Sequence, residues 1–319
     1  MQIAAGIGTE AVGLPLSPAA VAEQAVAAEE GGYRSVWCVH FSRGLDSLTV
    51  LGAAAVKTRH IRLTVGVVPT YPRHPLALAQ QAATVQSLSG GRLTLGVGVS
   101  HRPVIEDMHG LDYQRPAAHM REYLSVLVPL LEAGQVSFQG EFYRVEAEVV
   151  VPGTSPVPVL VGALSDAMLR VAGACAHGVV TWLAGPAMLE TEIVPNVGKA
   201  AADAGRAAPR VVAAVPVSVT GDREAGRDAA NQVLARYAGL ANYQRVLARQ
   251  DAGSPADLAL VGDEAAVRRG LQRLAEAGAT EVWPMPFPVG ADPASLARTR
   301  RVLEELAKEN DRPRKGARA

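Results

Sequence analysis

The chain has 319 residues, 49% hydrophobic and 19% charged, and its 31 basic and 31 acidic side chains cancel to a formal net charge of +0. That balance gives no electrostatic pull toward nucleic acid or an anionic membrane, no apolar run nears the length of a membrane span, and MQIAAGIG lacks the charged start and cleavage site of a secretory leader. The length suits two average domains or one large α/β barrel, built from Ala, Val and Leu because aromatics are only 4%, and a cytoplasmic location is expected.

In chain order, residues 2–8 form a short apolar strand ending in Gly6-Ile7-Gly8. Ser17-Pro18 caps a helix with Val21, Ala25 and Ala28 at helical spacing, stopped by Gly31-Gly32. Ser35–Val39 is the second strand, with His40 just past its end, and Asp46 begins a helix through Leu48, Leu51 and Ala55. Lys57, Arg59 and His60 close that helix and suit its dipole. Residues 61–68 and 92–99 are strands three and four, joined by a helix that starts at Pro75 and stops at Gly90-Gly91. Both strands are apolar on successive residues, the habit of parallel strands covered on two faces. Strand four ends in Ser100-His101.

The rhythm then breaks. Residues 103–115 read as irregular, Pro116–Glu132 as a helix with Tyr123, Leu124, Leu127 and Leu131 on one face, and 134–157 as a small hairpin. Residues 157–161 are strand five, after which Gly162-Ala163-Leu164-Ser165 opens a helix. Strand six is 178–183, followed by a helix over Leu189, Ile193 and Val197; strand seven is 210–220. Residues 222–250 read as one long helical region, Val261-Gly262-Asp263 caps another helix, and Glu281–Pro286 is strand eight. A helix over 293–308 ends the chain before a basic tail, 310–319, expected to be disordered. Eight strands, each followed by a helix, predict a single (β/α)8 barrel over 1–309 with extra segments after strands four and seven. A doubly wound open sheet is the weaker alternative, because neither Gly6-Ile7-Gly8 nor Gly96-Val97-Gly98 completes a dinucleotide-binding glycine pattern.

Barrel enzymes place their chemistry at the C-terminal ends of the strands. Polar residues expected there are His40, Ser100, His101, Ser165, Thr181 and Trp182, with Tyr71, Arg73 and His74 on the loop after strand three. A lone strand-end histidine is usually structural. Two of them, after strands two and four, face one mouth, and imidazole titrates near neutral pH. Pro75 already accounts for a helix start at His74, which is therefore read as local structure. The small-residue turn Gly162–Ser165 feeds a helix N-terminus, where free N–H groups suit a phosphate; an ordinary serine cap is the alternative, and Asp166 weighs against an anion. Cys38 and Cys175 lie in or beside apolar runs and read as buried hydrophobes. No Cys/His cluster has metal-ligand spacing, so no metal is expected.

At VGVVPTYPRHPLALAQQAATVQSLSGGRLTLGVGVSH, VLVGALSDAMLRVAGACAHGVVTW and LVGDEAAVRRGLQRLAEAGATEVW, the chain resembles the luciferase-like monooxygenase superfamily, and within it the enzymes that use the deazaflavin coenzyme F420. The resemblance implies a TIM barrel with an insertion after strand four, often dimeric, so a homodimer is expected. It implies a bulge with a non-prolyl cis peptide near Gly66-Val67 backing the cofactor ring, Gly98 and Ser100 along the cofactor, and Gly162, Ala163, Leu164 and Ser165 at its phosphate. His40 corresponds to a histidine near the redox ring. His101 stands where several relatives carry an acidic proton donor, a departure that leaves that role open.

The expected function is hydride transfer between reduced F420 and a small organic substrate. An FMN-dependent monooxygenase and a non-catalytic cofactor-binding protein are the alternatives, since fold alone does not secure function. The sequence carries no signature of the substrate.

Overall fold

The computed structural model describes residues 2–8 and 16–311. Its first strand comes in two pieces, β1 (Gln2–Ile3) and β2 (Ala5–Ile7). There follow β3 (Ser35–Val39), β4 (Arg62–Gly66), β5 (Val68–Pro69), β6 (Leu93–Gly98), β7 (Gln135–Gln139), β8 (Arg144–Glu148), β9 (Val159–Gly162), β10 (Gly178–Trp182), β11 (Arg210–Val219), β12 (Leu260–Gly262) and β13 (Glu281–Pro286). The helices are α1 (Pro18–Glu30), α2 (Ser47–Lys57), α3 (Pro75–Leu88), α4 (Pro116–Glu132), α5 (Asp166–Cys175), α6 (Pro186–Met188), α7 (Val194–Asp203), α8 (Arg223–Ala238), α9 (Ala241–Arg249), α10 (Glu264–Glu276) and α11 (Ser295–Asp311).

The main sheet is parallel and runs β1-β13-β11-β10-β9-β6-β4-β3-β2. Because β1 and β2 are consecutive pieces of one strand, pairing of Gln2 with Glu281 on one side and of Ala5 with Val36 on the other closes it into a barrel. The open-sheet alternative is thereby excluded. Closure removes both sheet edges.

The strands look uniformly apolar in sequence because they serve two separate cores. Outward residues such as Val36, Leu63, Val65, Leu95 and Val97 pack beneath the helices with Leu51, Leu78 and Ala82. Inward residues Trp37, Leu160, Val212, Ala214 and Trp283 fill the lumen, and the Trp37 and Trp283 rings stack at 4.7 Å. Period two is present but hidden, since both faces exclude water. The barrel floor is polar: Glu281, 2% exposed, accepts hydrogen bonds from Ser35 Oγ, from Trp37 Nε1 at 3.2 Å and from Arg210 Nη2 at 2.7 Å, with Arg62 at 4.0 Å.

Helix starts follow their caps. Ser17, Asp46, Asp222 and Asp263 each accept the N–H three residues on, and His74 accepts that of Leu76. Several expectations change. Helix α4 packs between α3 and α5, the position of the barrel's own fourth helix, so the extra material after strand four is the segment before it and the β7–β8 hairpin after it. The segment read as irregular includes a π-helical stretch, Val104–Met108. Residues 222–250 are two helices, because Gly239 ends α8 and Leu240 is extended; helical periodicity resumes too soon for the sequence pattern to show the gap. Leu260–Gly262 adds a short strand beside β11. The last helix begins at Ser295 rather than 293 and runs on to Asp311; the rest of the tail lies outside the described residues. Among the described residues, no helix is long and apolar enough to cross a membrane.

Candidate active site at the C-terminal mouth of the barrel

Strand three breaks between β4 and β5, where the Gly66–Val67 peptide is cis, at the place the resemblance implies. A Cβ on Gly66 would meet the Trp283 ring at 2.7 Å and the Trp37 ring at 2.8 Å, so the tryptophan stack leaves room only for glycine. The next side chain, Val67, turns into the mouth. Its methyls lie where Cβ atoms on Gly96 and Gly98 would be, at 2.9 and 2.7 Å, and touch the Gly162 position at 3.4 Å. Three glycines on two neighbouring strands thus form a trough for one valine. The open face of Gly98 is therefore occupied by Val67. Gly96 is constrained further, because a Cβ there would run into the Val65 carbonyl oxygen.

At the end of strand five, the turn Gly162–Ser165 leads into α5. Ser165 holds the N-cap position, but its hydroxyl makes no cap hydrogen bond, leaving the first-turn N–H groups open. The Ala163 N–H is given to Val180 O at 3.2 Å and its methyl is buried. Asp166, which weighs against an anion, is only partly offset: Arg249 Nη2 bonds it at 2.9 Å but is shared with Glu192, and Nη1 reaches Leu164 O at 3.2 Å, so the cluster keeps a net negative charge beside the turn.

The two histidines sit on different walls. The Nδ1 of His40 accepts the Ser47 backbone N–H at 3.4 Å and lies 3.0 Å from Ser47 Oγ. An accepting Nδ1 leaves the proton on Nε2. Burial lowers the His40 pKa, only partly opposed by Asp46, so the neutral ring prevails at neutral pH. Burial also opposes the Asp46 carboxylate, but hydrogen bonds from Arg73 at 2.8 Å and from Thr49 outweigh it and hold Asp46 at about 2. Arg73 is thereby committed to structure, as is His74 at its cap. His101 stands 5.8 Å from the Tyr243 ring, bonds the Asn242 side chain, and is held low by burial and then by Arg236. Between these walls, Ser100 has φ +60, and Leu183, just past strand six, has φ +59. Left-handed backbone at bulky non-glycine residues is uncommon and clusters at functional rims.

Thr181 faces away from the mouth, buried with its hydroxyl on Val212 O at 3.3 Å, whereas Trp182 borders the lumen core. Both cysteines are unreactive: burial pushes the Cys38 thiol up to about 12 and raises Cys175 as well. Sequence reasoning missed His119. It stacks on Tyr71 at 3.9 Å and 3°, bonds Thr70 Oγ1 at 3.0 Å, and is pressed by burial to about 4. The signal was present, because His119 lies four residues before Tyr123 on the apolar face of α4.

The segment after strand seven covers the mouth. Tyr237 on α8 lies 5.7 Å from Trp182 and 4.9 Å from Tyr243 on α9, and Arg236 sits over Phe41 at 4.7 Å and over Tyr237 at 4.9 Å. The Trp182 Nε1 is buried without a hydrogen-bond partner.

Comparisons with known proteins agree with this architecture. The chain is 29% identical over 210 residues to 5,10-methylenetetrahydromethanopterin reductase of Archaeoglobus fulgidus, a match spanning 65% of this chain and 63% of that protein. It is 29% identical over 281 residues to the F420-dependent glucose-6-phosphate dehydrogenase of Nakamurella multipartita, covering 83% and 81% of the two chains. The solved coenzyme F420-dependent tetrahydromethanopterin reductase of Methanopyrus kandleri superposes with a TM-score of 0.71 at 25% identity, covering 97% of each chain. The luciferase-like monooxygenase family model matches residues 1–281, and with the closed barrel and the strand-three bulge in place, the chain belongs to that family.

Proposed function

We infer that the protein is an oxidoreductase that transfers hydride between reduced coenzyme F420 and a small organic substrate. The observation that carries this reading is the Val67 bulge in its glycine trough, next to the turn that leads into an α5 N-terminus whose Ser165 hydroxyl and first-turn N–H groups are unspent. Val67 would back a planar ring, and Gly162, Leu164 and Ser165 would hold the phosphate at the open first-turn N–H groups, with Arg249 offsetting part of the Asp166 charge. Bound there, a deazaflavin supplies hydride from a ring carbon and does not activate oxygen. The relatives named F420-dependent support this cofactor over FMN.

The chain's own residues then have separable tasks. His40, neutral with its proton on Nε2, donates a hydrogen bond toward the ring side of the mouth. His101 lies past strand four, two strands round the barrel from His40, where it relays the substrate proton, since burial and Arg236 disfavour a resident imidazolium. The α8–α9 cover excludes water, and the bulge and phosphate turn fix the relative position of the reactants, which is most of what such a transfer demands. The expected homodimer belongs to this proposal too: Val56 on α2 and Leu88 on α3 are apolar, exposed and on adjacent helices, and sedimentation velocity at micromolar protein tests it.

Titration of the full chain with F420 and with FMN tests the reading. Binding of F420 with at least tenfold preference over FMN (about 1.4 kcal/mol) is expected. Tight binding of FMN with none for the deazaflavin overturns it.

A further inference from the structure

The mouth carries a feature that the hydride-transfer reading does not use. Arg73, Arg102 and Arg249, around the same rim, are each paired with a carboxylate. Arg236 is not: among the described residues its partners are the Phe41 and Tyr237 rings and the Tyr237 hydroxyl, to which Nη2 donates at 3.0 Å. Tyr237 is its neighbour on α8, whereas Phe41 comes from the loop after strand two, so one ring contact reaches another element and the exposed guanidinium stays open to water. It also lies close enough to His101 to depress that imidazole. Beside it the half-buried rings of Trp182, from strand six, and Tyr237, from the cover, pack over the buried Tyr243.

An arginine with most of its N–H groups unspent is a fork for a carboxylate, and the rings beside it favour flat, conjugated partners. We propose that the substrate is a planar unsaturated molecule bearing a carboxylate, its flat body against Trp182 and Tyr237, which Tyr243 backs from beneath, and its carboxylate on Arg236. The buried, unpartnered Trp182 Nε1 gives this pocket one further donor for an acceptor oxygen. The assignment rests on the oxidoreductase reading for its purpose but not for its geometry. An arginine that only clasps the cover over the mouth would make the same two ring contacts, and the test separates the two roles.

Isothermal titration of the full chain, with and without F420, uses trans-cinnamate as probe, with benzylideneacetone as its uncharged analogue and glucose 6-phosphate as a non-planar anion. Cinnamate is expected to bind at least about tenfold more tightly than either comparison ligand, the usual worth of a charge-assisted hydrogen-bond pair. Arg236→Met should cost about tenfold or more in cinnamate affinity and leave the ketone within twofold, Arg236→Lys should recover part of the loss, and Tyr243→Leu should weaken both planar ligands. Equal affinity for cinnamate and the ketone, preference for the sugar phosphate, or equal loss of both planar ligands in Arg236→Met would overturn the proposal; the last outcome identifies a clasp. Because binding is read without coenzyme, cinnamate recognition in a protein that fails to bind F420 would fault the oxidoreductase reading alone.

Discussion

Replacing Gly98 by alanine, alone and beside Val67→Ala, tests whether the strand-four glycines exist to seat Val67. A Cβ on Gly98 would stand 2.7 Å from Val67 Cγ2, and the other near atom is Val67 Cβ at 3.7 Å. Overpacking of this kind costs about 1–3 kcal/mol. The Gly98 φ is not in the left-handed region, so alanine also recovers about 0.4–1 kcal/mol by restricting the unfolded chain. Gly98→Ala should therefore destabilise by about 1–2 kcal/mol in the native background. In a Val67→Ala background the clashing methyl is gone, and the same change should be neutral or stabilising by up to about 1 kcal/mol. Gly96→Ala is the internal control: its Cβ also meets the backbone carbonyl of Val65, which trimming Val67 cannot move. Urea unfolding of the four Gly98/Val67 combinations, and of Gly96→Ala in both backgrounds, measures the coupling. An equal cost of Gly98→Ala with and without Val67, or an equal rescue of Gly96→Ala, would refute the reasoning. F420 affinity should fall in both Val67→Ala proteins even where stability returns, since the trough would then hold no backing for the ring.

At the barrel floor, Glu281→Gln should cost about 3 kcal/mol, the low end for breaking a buried charge pair, because Arg210 is 27% and Arg62 39% exposed and water recovers part of the loss. F420 affinity should stay within twofold, and an unchanged melting temperature would sink the argument. His119 has a folded pKa of about 4 against 6.5 unfolded, so its contribution is complete above pH 6.5 and is lost as pH falls toward 4. The loss reaches up to about 3 kcal/mol at 1.36 kcal/mol per unit; His119→Phe should flatten stability over that window, and an unaltered slope in pH-dependent unfolding would rule the histidine out. His101→Ala should lower turnover about a hundredfold with little change in F420 affinity, as loss of a general acid does. A fall in melting temperature with turnover per folded molecule unchanged would make His101 a support for Asn242 and α9. His40→Ala should weaken both turnover and F420 binding, because the proposed role gives its Nε2–H a hydrogen bond to the ring; affinity equal to that of the unmodified chain would remove it from the site.

The barrel was legible because its evidence is local. Runs of Val and Leu punctuated by Gly-Gly and capped helices mark each strand–helix unit, and covering both faces of a parallel sheet makes those runs continuous. The histidines past strands two and four and the small-residue turn at Gly162–Ser165 were visible for the same reason: strand ends define the mouth. What only the tertiary structure decided are the pairings between distant segments. Gly98 reads as a strand glycine set along the cofactor by resemblance, and only the structure shows that Val67, thirty-odd residues earlier, occupies its face. Asp166 reads as an unpaired charge at the turn until Arg249 arrives from the strand-seven segment to pair with it and with Glu192. Helix α4 reads as inserted until its packing between α3 and α5 makes it part of the ring, bringing His119 onto Tyr71. Periodicity and capping act over a few residues, whereas steric complementarity and charge pairing act across space, and the closing of the barrel is what brings those groups together.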